Sequence, residues 1–233
     1  MNAIILAAGL GSRFGDWTEN NHKSLFPILG IPNIERTIQL LIEENISPIY
    51  ILTGHMAEKF AYLEEKYPDV QLIYNPYYKI YNNIYTFSLI LPRFSNTWVI
   101  DGDTVILKNI FNKEQELSTY FTILRNNDSI EWCPLVQDGK IKEILITNEK
   151  LPSLSGISYW CEKECVAIQN LYAKYMNESM LLNAKLYWDD IVRENLSELN
   201  IKVDEIANNV LYEMDTKEDY EKILSYLTNE HSK

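Results

Sequence analysis

The chain of 233 residues carries 21 Lys and Arg against 33 Asp and Glu, which gives a formal net charge of −12. Its 46% hydrophobic and 23% charged residues are ordinary values for a globular protein and exclude a disordered chain. The sequence has no basic cluster and no apolar run of about 18–20 residues, so we expect neither nucleic-acid binding nor a membrane span. Three Cys and three His lack metal-ligand spacing, which predicts no zinc site, no disulfides and a reducing, cytoplasmic location.

The first half of the chain alternates short apolar runs with helical patterns. Strands are predicted at residues 3–8, 48–53, 70–74 and 97–101, and helices at 32–45, at 57–67 and from Asn82 or Asn83 to about Leu91. Continuously apolar strands that alternate with helices are typical of an α/β fold with a doubly wound, mostly parallel, Rossmann-like sheet.

The second half has a different pattern. Antiparallel strands are predicted at residues 119–124, 131–136 and 141–146, with a turn at 137–139, and further strands at 155–160 and about 210–214. Helices are predicted at residues 162–177, 188–199 and 216–227. We find no linker or repeat, so the sequence predicts a single domain over residues 1–233 with a mixed second half.

A glycine-containing loop follows the first strand. It has the sequence Leu6-Ala7-Ala8-Gly9-Leu10-Gly11-Ser12-Arg13, and Lys23 comes after it. Glycines let backbone N–H groups approach phosphates, and two cations suit a triphosphate whose pyrophosphate must leave; the alternative is a plain turn. The dinucleotide-binding fingerprint and the Walker A motif both have other spacings, which weighs against a dinucleotide-dependent dehydrogenase.

This motif resembles the signature of nucleotidyltransferases that make NDP-sugars and CDP-alcohols. The resemblance extends over nearly the whole chain to the bacterial CTP:phosphocholine cytidylyltransferases, in the segments NNIYTFS at 82–88, IDGD at 100–103, EW at 131–132, LSGISYW at 154–160, YWDD at 187–190 and YEMD at 212–215. It implies a nucleotidyltransferase fold with a nucleotide-binding half at about 1–118 and an acceptor-binding half, partly antiparallel, at about 119–233. Members of the family commonly have a proline before the signature lysine, where this chain has His22.

Two pairs of acidic residues follow the same spacing near strand ends. Asp101 and Asp103 form one pair, and Glu213 and Asp215 form the other. In extended backbone both members of such a pair project from one face, at the sheet edge where ligands bind to α/β proteins. Mg²⁺ prefers one or two carboxylates together with phosphate oxygens and water. The resemblance implies Asp103 and Asp215 as metal ligands, with Asp101 and Glu213 in support.

An aromatic cage is expected for the acceptor. A trimethylammonium group has no hydrogen-bond donor, so aromatic faces and a nearby carboxylate hold it. Trp132, Tyr187 and Asp189 offer these groups, and all three lie in segments that match the choline branch of the family. The alternative interpretation places the aromatic side chains in the hydrophobic core.

Together these features predict a Mg²⁺-dependent enzyme that transfers CMP from CTP to phosphocholine and releases pyrophosphate. Arg13, Lys23, Asp103 and Asp215 are the expected catalytic residues. The residues expected to bind the nucleotide are Leu6–Arg13, Lys23, Asn82, Ser88 and Asp101. Two alternatives stay open. The acceptor could be 2-aminoethylphosphonate, phosphoethanolamine or a sugar 1-phosphate, or the chain could be a nucleotide-binding regulatory module without turnover.

Overall fold

A seven-stranded sheet lies at the centre of the part of the chain that the structure describes. The structure is a computed structural model that describes residues 1–18, 20–111, 115–125 and 129–230. The first half contains β1 (Asn2–Ala7), β2 (Pro27–Ile28), β3 (Ile31–Pro32), α1 (Asn33–Glu43), β4 (Ile49–Thr53), α2 (Tyr62–Lys66), β5 (Val70–Tyr74), α3 (Asn83–Ser88), β6 (Thr97–Asp101) and β7 (Thr104–Ile106). The second half contains β8 (Ser118–Leu124), β9 (Glu131–Gln137), β10 (Lys140–Thr147), β11 (Pro152–Trp160), α4 (Glu162–Tyr172), α5 (Glu178–Leu181), α6 (Trp188–Glu194), β12 (Ile201–Glu205), β13 (Leu211–Glu213) and α7 (Lys217–Glu230).

Strands of the first half form the parallel part of the sheet. β6, β1, β4 and β5 lie side by side in that order and run parallel. Side chains of β1 alternate between two hydrophobic cores: Ala3 and Ile5 pack in the core that contains Ile34 of α1, and Ile4 packs in the core that contains Ile84 of α3. Because helices cover both faces, the buried strands are apolar throughout. The predicted doubly wound, mostly parallel sheet is confirmed.

The second half adds three strands to the same sheet. β11 runs antiparallel to β6 and to β8 on its other side, and β12 runs parallel to β8 at the edge. β9 and β10 form a separate antiparallel hairpin, whose turn at Asp138 and Gly139 has φ values of 53° and 74°, as a type I′ turn requires. The predicted hairpin is therefore present, and β12 is a strand that the sequence pattern did not indicate.

Several helices are shorter than predicted. Residues 57–60 form a 3₁₀ turn ahead of α2, α4 ends at Tyr172, and α6 ends at Glu194. Asn177, the last residue of one predicted helix, instead caps the start of α5, where its side chain accepts a hydrogen bond from the backbone N–H of Met180. Within the described ranges, no helix combines the length and apolarity needed to cross a bilayer.

The carboxyl ends of β1 and β6 lie together at one edge of the sheet. The glycine loop leaves β1 there, and Asp101 ends β6. β7 follows directly and pairs with β13, so that Glu213 lies opposite Thr104. One hydrophobic core combines Ile100 of the first half with Phe121 and Ile157 of the second half. The division of the chain near residue 118 into a nucleotide-binding half and an acceptor-binding half stays a prediction. The fold thus brings both acidic pairs to the edge that carries the glycine loop.

Candidate active site

The four predicted catalytic residues form one cluster of charges. The Lys23 ammonium donates to the Asp103 carboxylate and lies 3.6 Å from Asp215 Oδ1. Arg13 Nη1 donates to Asp215 Oδ2 at 2.9 Å. Burial disfavours the charge on Lys23, but the two carboxylates raise the pKa of its ammonium above the ordinary value. Two cations and two carboxylates from distant parts of the sequence therefore meet beside the glycine loop.

His22 connects the glycine loop to the turn that carries Lys23. Its ring is 2% exposed, with Nε2 at 3.0 Å from the Gly9 carbonyl oxygen, and Nδ1 accepts from the Ser24 backbone N–H at 3.2 Å. Only a neutral imidazole with its proton on Nε2 makes both hydrogen bonds, and burial lowers the pKa of His22 to about 4. The side chain therefore fixes the loop against the Lys23 turn. The side chain of Ser12 lies outside the described residues.

The two members of each acidic pair contact different partners. β6 ends at Asp101, and residues 102–103 turn into β7, so Asp103 is not in extended backbone. Asp101 lines a neighbouring cavity, whereas Asp103 binds Lys23. Glu213 lines the same cavity and pairs with Arg125 at 2.6 Å, whereas Asp215 binds Arg13. The expectation that both members of a pair project from one face of an extended strand was wrong, because each strand ends before the second acid.

A cavity of about 200 Å³ adjoins the charge cluster and contains all three predicted acceptor residues, Trp132, Tyr187 and Asp189. The rings of Trp132 and Tyr187 meet edge to face with centroids 6.4 Å apart. Tyr187 is 49% exposed and forms the rim, and Asp189 lies deeper. Trp188 also lines the cavity, but it is buried and stacks on Phe87 at 4.4 Å in the core. The chain thus places an indole, a phenol and a carboxylate around one space.

Gly156 shapes the wall of this cavity. It lies at a register shift of β11 against β8 and has a φ of 74°. A Cβ built at this position would lie 2.5 Å from Thr104 Oγ1 and 3.0 Å from Asp101 Oδ2. The bulge therefore makes room for the Asp101 carboxylate next to the strand.

Acidic groups dominate the electrostatics of the cavity. Asp101, Glu131 and Glu213 line it together with Asp189. Burial raises the pKa of Asp189 to about 7, and burial, opposed by Arg125, raises the pKa of Glu213 to about 7. Burial and the nearby Asp103, Asp189 and Glu213 carboxylates raise the pKa of Asp101 well above its usual value. A cationic ligand in the cavity reduces the repulsion among these carboxylates, because it stabilises their ionised form.

Two polar residues of the cavity region were not predicted from the sequence. Arg125 follows β8, is 10% exposed, and contacts Ser153, Glu213 and Glu131, the last at 3.6 Å. Its position directly after an apolar strand is the same signal that identified Asp101. The hydroxyl of Tyr120, in the middle of β8, donates to Asp189 at 2.6 Å. No sequence spacing indicates this contact, because the partners lie on separate elements.

Two predicted nucleotide-binding residues have other partners. The Asn82 side-chain amide donates to the carbonyl oxygens of Met180 at 2.8 Å and Asn183 at 2.9 Å. Ser88 Oγ donates to the Tyr85 carbonyl oxygen at 2.7 Å within its own helix. Both hydroxyl and amide are therefore engaged away from the glycine loop, and their role with the nucleotide stays a prediction.

Comparison with known proteins agrees with this architecture. Residues 3–108 match the MobA-like NTP transferase domain. The choline-phosphate cytidylyltransferase of Haemophilus influenzae is 47% identical over 229 residues, with 98% of each chain covered. The solved CTP:phosphocholine cytidylyltransferase of Streptococcus pneumoniae superimposes with a TM-score of 0.92 at 37% identity, covering 97% of this chain and 98% of that one. The 2-aminoethylphosphonate cytidylyltransferase of Lancefieldella rimae is 29% identical over 92% of this chain and 88% of its own.

The fold and the charge cluster at its sheet edge define a nucleotidyltransferase. The identity over nearly its whole length places the chain in the choline-phosphate cytidylyltransferase family.

Proposed function

We propose that this protein transfers CMP from CTP to phosphocholine, forming CDP-choline and pyrophosphate. The observation that carries the proposal is the aromatic, acidic cavity of Trp132, Tyr187 and Asp189 directly beside the Lys23 charge cluster. An acidic, aromatic space suits a trimethylammonium group, and two cations beside a glycine loop suit a triphosphate. The free thiols of all three cysteines support a reducing, cytoplasmic setting.

The reaction needs no general base, because the acceptor phosphate is already an anion. Its oxygen attacks the α-phosphorus of CTP, and the bond to the bridging oxygen of pyrophosphate breaks. Lys23 and Arg13 hold the triphosphate and neutralise the charge that develops on the leaving pyrophosphate. The aromatic cavity orients the acceptor, so positioning and charge neutralisation account for catalysis.

The acidic residues of the cluster fit a magnesium ion. Asp103 and Asp215 converge on one cation, the Lys23 ammonium, although they come from distant parts of the chain. Within the described ranges no group of three or more Asp, Glu, His or Cys side chains forms a closed cage, and Mg²⁺ commonly uses one or two carboxylates with phosphate oxygens. Asp103 and Asp215 would hold the ion. Bound there, Mg²⁺ supplies further neutralisation of phosphate charge.

An alternative acceptor with a primary ammonium has specific support. Asp189 suits either kind of cation, and one relative carries the name 2-aminoethylphosphonate cytidylyltransferase. Trp132 and Tyr187 favour the quaternary ammonium, because their faces bind methylated nitrogen without needing N–H donors.

Pyrophosphate release with Mg²⁺ tests the proposed function. CTP, ATP, GTP and UTP are each combined with phosphocholine, phosphoethanolamine, 2-aminoethylphosphonate and glucose 1-phosphate. We expect the largest kcat/KM with CTP and phosphocholine. Activity confined to a sugar phosphate would overturn the acceptor assignment, and CTP binding without pyrophosphate release would indicate a regulatory module.

Removal of either aromatic ring of the cage is expected to weaken acceptor binding. Each desolvated cation–π contact contributes about 1–2 kcal/mol, so Trp132→Leu or Tyr187→Leu raises the KM for phosphocholine by roughly 5-fold to 30-fold with little change in kcat. Steady-state kinetics with phosphocholine varied at saturating CTP measures this effect. Tyr74→Leu, which changes a 54% exposed tyrosine at the end of β5, is the control. An unchanged KM in both cage variants would exclude the cage.

Two substitutions at His22 separate its hydrogen bonds. Glutamine carries an amide N–H near the position of Nε2 and keeps the bond to Gly9, whereas asparagine keeps only the acceptor for Ser24. Because an unsatisfied buried group costs about 1–3 kcal/mol, we expect His22→Asn to raise the KM for CTP roughly 10-fold and His22→Gln by less than about 3-fold. Kinetics with CTP varied, together with the Tm of both variants, check this. If both variants had the same Tm and the same KM for CTP, the hydrogen bond between His22 and Gly9 would not contribute to CTP binding.

A further inference from the structure

We propose that Tyr120 makes the acceptor cavity selective for a quaternary over a primary ammonium, acting as a positioning residue for Asp189. This inference rests on the proposed function. The Tyr120 hydroxyl donates to Asp189 Oδ1 at 2.6 Å, and both residues line the cavity with Trp132 and Tyr187.

The Tyr120 hydroxyl is held rigidly. Tyr120 is 3% exposed and lies in β8, where its backbone pairs with Ser158 of β11 and Val203 of β12. Its ring packs edge to face on Trp160 with centroids 5.3 Å apart. Burial and the neighbouring Asp189 raise the pKa of Tyr120 well above its usual value, so the phenol keeps its proton and donates a hydrogen bond to Asp189. Asp189 therefore has a fixed hydrogen-bond donor before any ligand enters.

The hydrogen bond from Tyr120 affects selectivity because quaternary and primary ammonium groups differ in the N–H donors that they offer to Asp189. A buried carboxylate is costly unless it is hydrogen-bonded, and a quaternary ammonium has no N–H to offer. With such a ligand, the protein itself must supply the hydrogen bond to Asp189, and Tyr120 does so. A primary ammonium brings three N–H donors and satisfies the carboxylate without help. Loss of the phenolic hydroxyl therefore penalises the quaternary ligand more than the primary one.

Tyr120→Phe isolates this effect, since phenylalanine keeps the ring that packs on Trp160. We expect it to raise the Kd and KM for phosphocholine by roughly 10-fold to 100-fold and those for phosphoethanolamine by less than about 3-fold. The kcat at saturating phosphocholine stays within about 3-fold, because the reacting phosphate is untouched. Tyr159→Phe is the matched control; it removes the hydroxyl of a buried tyrosine on the neighbouring strand β11 and is expected to change neither Kd.

Calorimetric binding and pyrophosphate release are measured in parallel on wild type and both variants. A fall in the preference for phosphocholine over phosphoethanolamine in Tyr120→Phe supports the proposal, whether or not the wild type turns over. An equal change for both acceptors, or no change for either, overturns it and assigns the hydrogen bond to folding alone. If the wild type bound phosphocholine without releasing pyrophosphate, the proposed function would be contradicted. The ratio of the Kd values for phosphocholine and phosphoethanolamine would then still test the role of Tyr120.

Discussion

Replacement of Lys23 by alanine is expected to lower kcat/KM for CTP by about 100-fold or more, because loss of one charge partner of a developing oxyanion costs roughly 3 kcal/mol or above. In the structure the ammonium is the centre of the charge cluster, bonded to Asp103 and 3.6 Å from Asp215. Its removal also leaves the Asp103 carboxylate without its lysine partner while Asp215 keeps Arg13, and the extra negative charge weakens triphosphate binding further. Initial rates of pyrophosphate release at saturating phosphocholine measure the effect.

Two further variants make the Lys23 result specific. Lys163→Ala removes an exposed lysine of α4 and is expected to keep wild-type rates, which controls for the loss of one positive charge. Lys23→Arg keeps the charge but changes its shape and hydrogen bonding, so an intermediate rate is expected. If Lys23→Ala retained a kcat/KM within about 3-fold of wild type, Lys23 would have no part in catalysis.

Asp103→Asn and Asp215→Asn are expected to reduce turnover by about 100-fold or more and to raise the half-saturating Mg²⁺ concentration at least roughly 10-fold. Asparagine keeps the size of each side chain and removes the charge that would bind the ion. Both carboxylates contact Lys23, so the Mg²⁺ dependence separates a metal ligand from a partner of the lysine. The measurement is a Mg²⁺ titration of pyrophosphate release at fixed CTP and phosphocholine.

The control for the aspartate variants is Glu162→Gln, which neutralises an exposed acid at the start of α4. It is expected to leave both the rate and the Mg²⁺ titration unchanged. A slow enzyme with an unchanged half-saturating Mg²⁺ concentration would mean that Asp103 and Asp215 act through Lys23 and not through the metal.

Much of the fold could be predicted from local pattern. The predicted strand at 97–101 coincides with β6, a central strand that is buried along most of its length, and the predicted strand at 70–74 coincides with β5 at the sheet edge. The sequence did not indicate β12, because three of its five residues, in Ile-Lys-Val-Asp-Glu, are charged types that are depleted in strands. Its place depends on pairing with β8, far earlier in the chain, and a local pattern carries no information on that partner.

The site was predictable where its residues border strands or belong to a motif. Arg13, Lys23, Asp103 and Asp215 were predicted as one set, and the structure brings them together. The role of Tyr120 could not be predicted from the sequence, because its surroundings depend on the strands that pair with β8 in the sheet.

The pairing of β8 with β11 has a consequence for how acceptor recognition can diversify. Leu124, the last residue of β8, pairs with Pro152, the first residue of β11, so the chain leaves the sheet and returns to it at the same place. The β9–β10 hairpin lies within this excursion and contributes Glu131 and Trp132 to the cavity. An insert whose two ends are neighbours can change in length and sequence while the strands around it keep their register. Ile141 and Ile144 of the hairpin pack in the core that contains Trp188, so a change of acceptor preference is confined to the other positions of the hairpin and leaves the charge cluster at β1 and β6 intact.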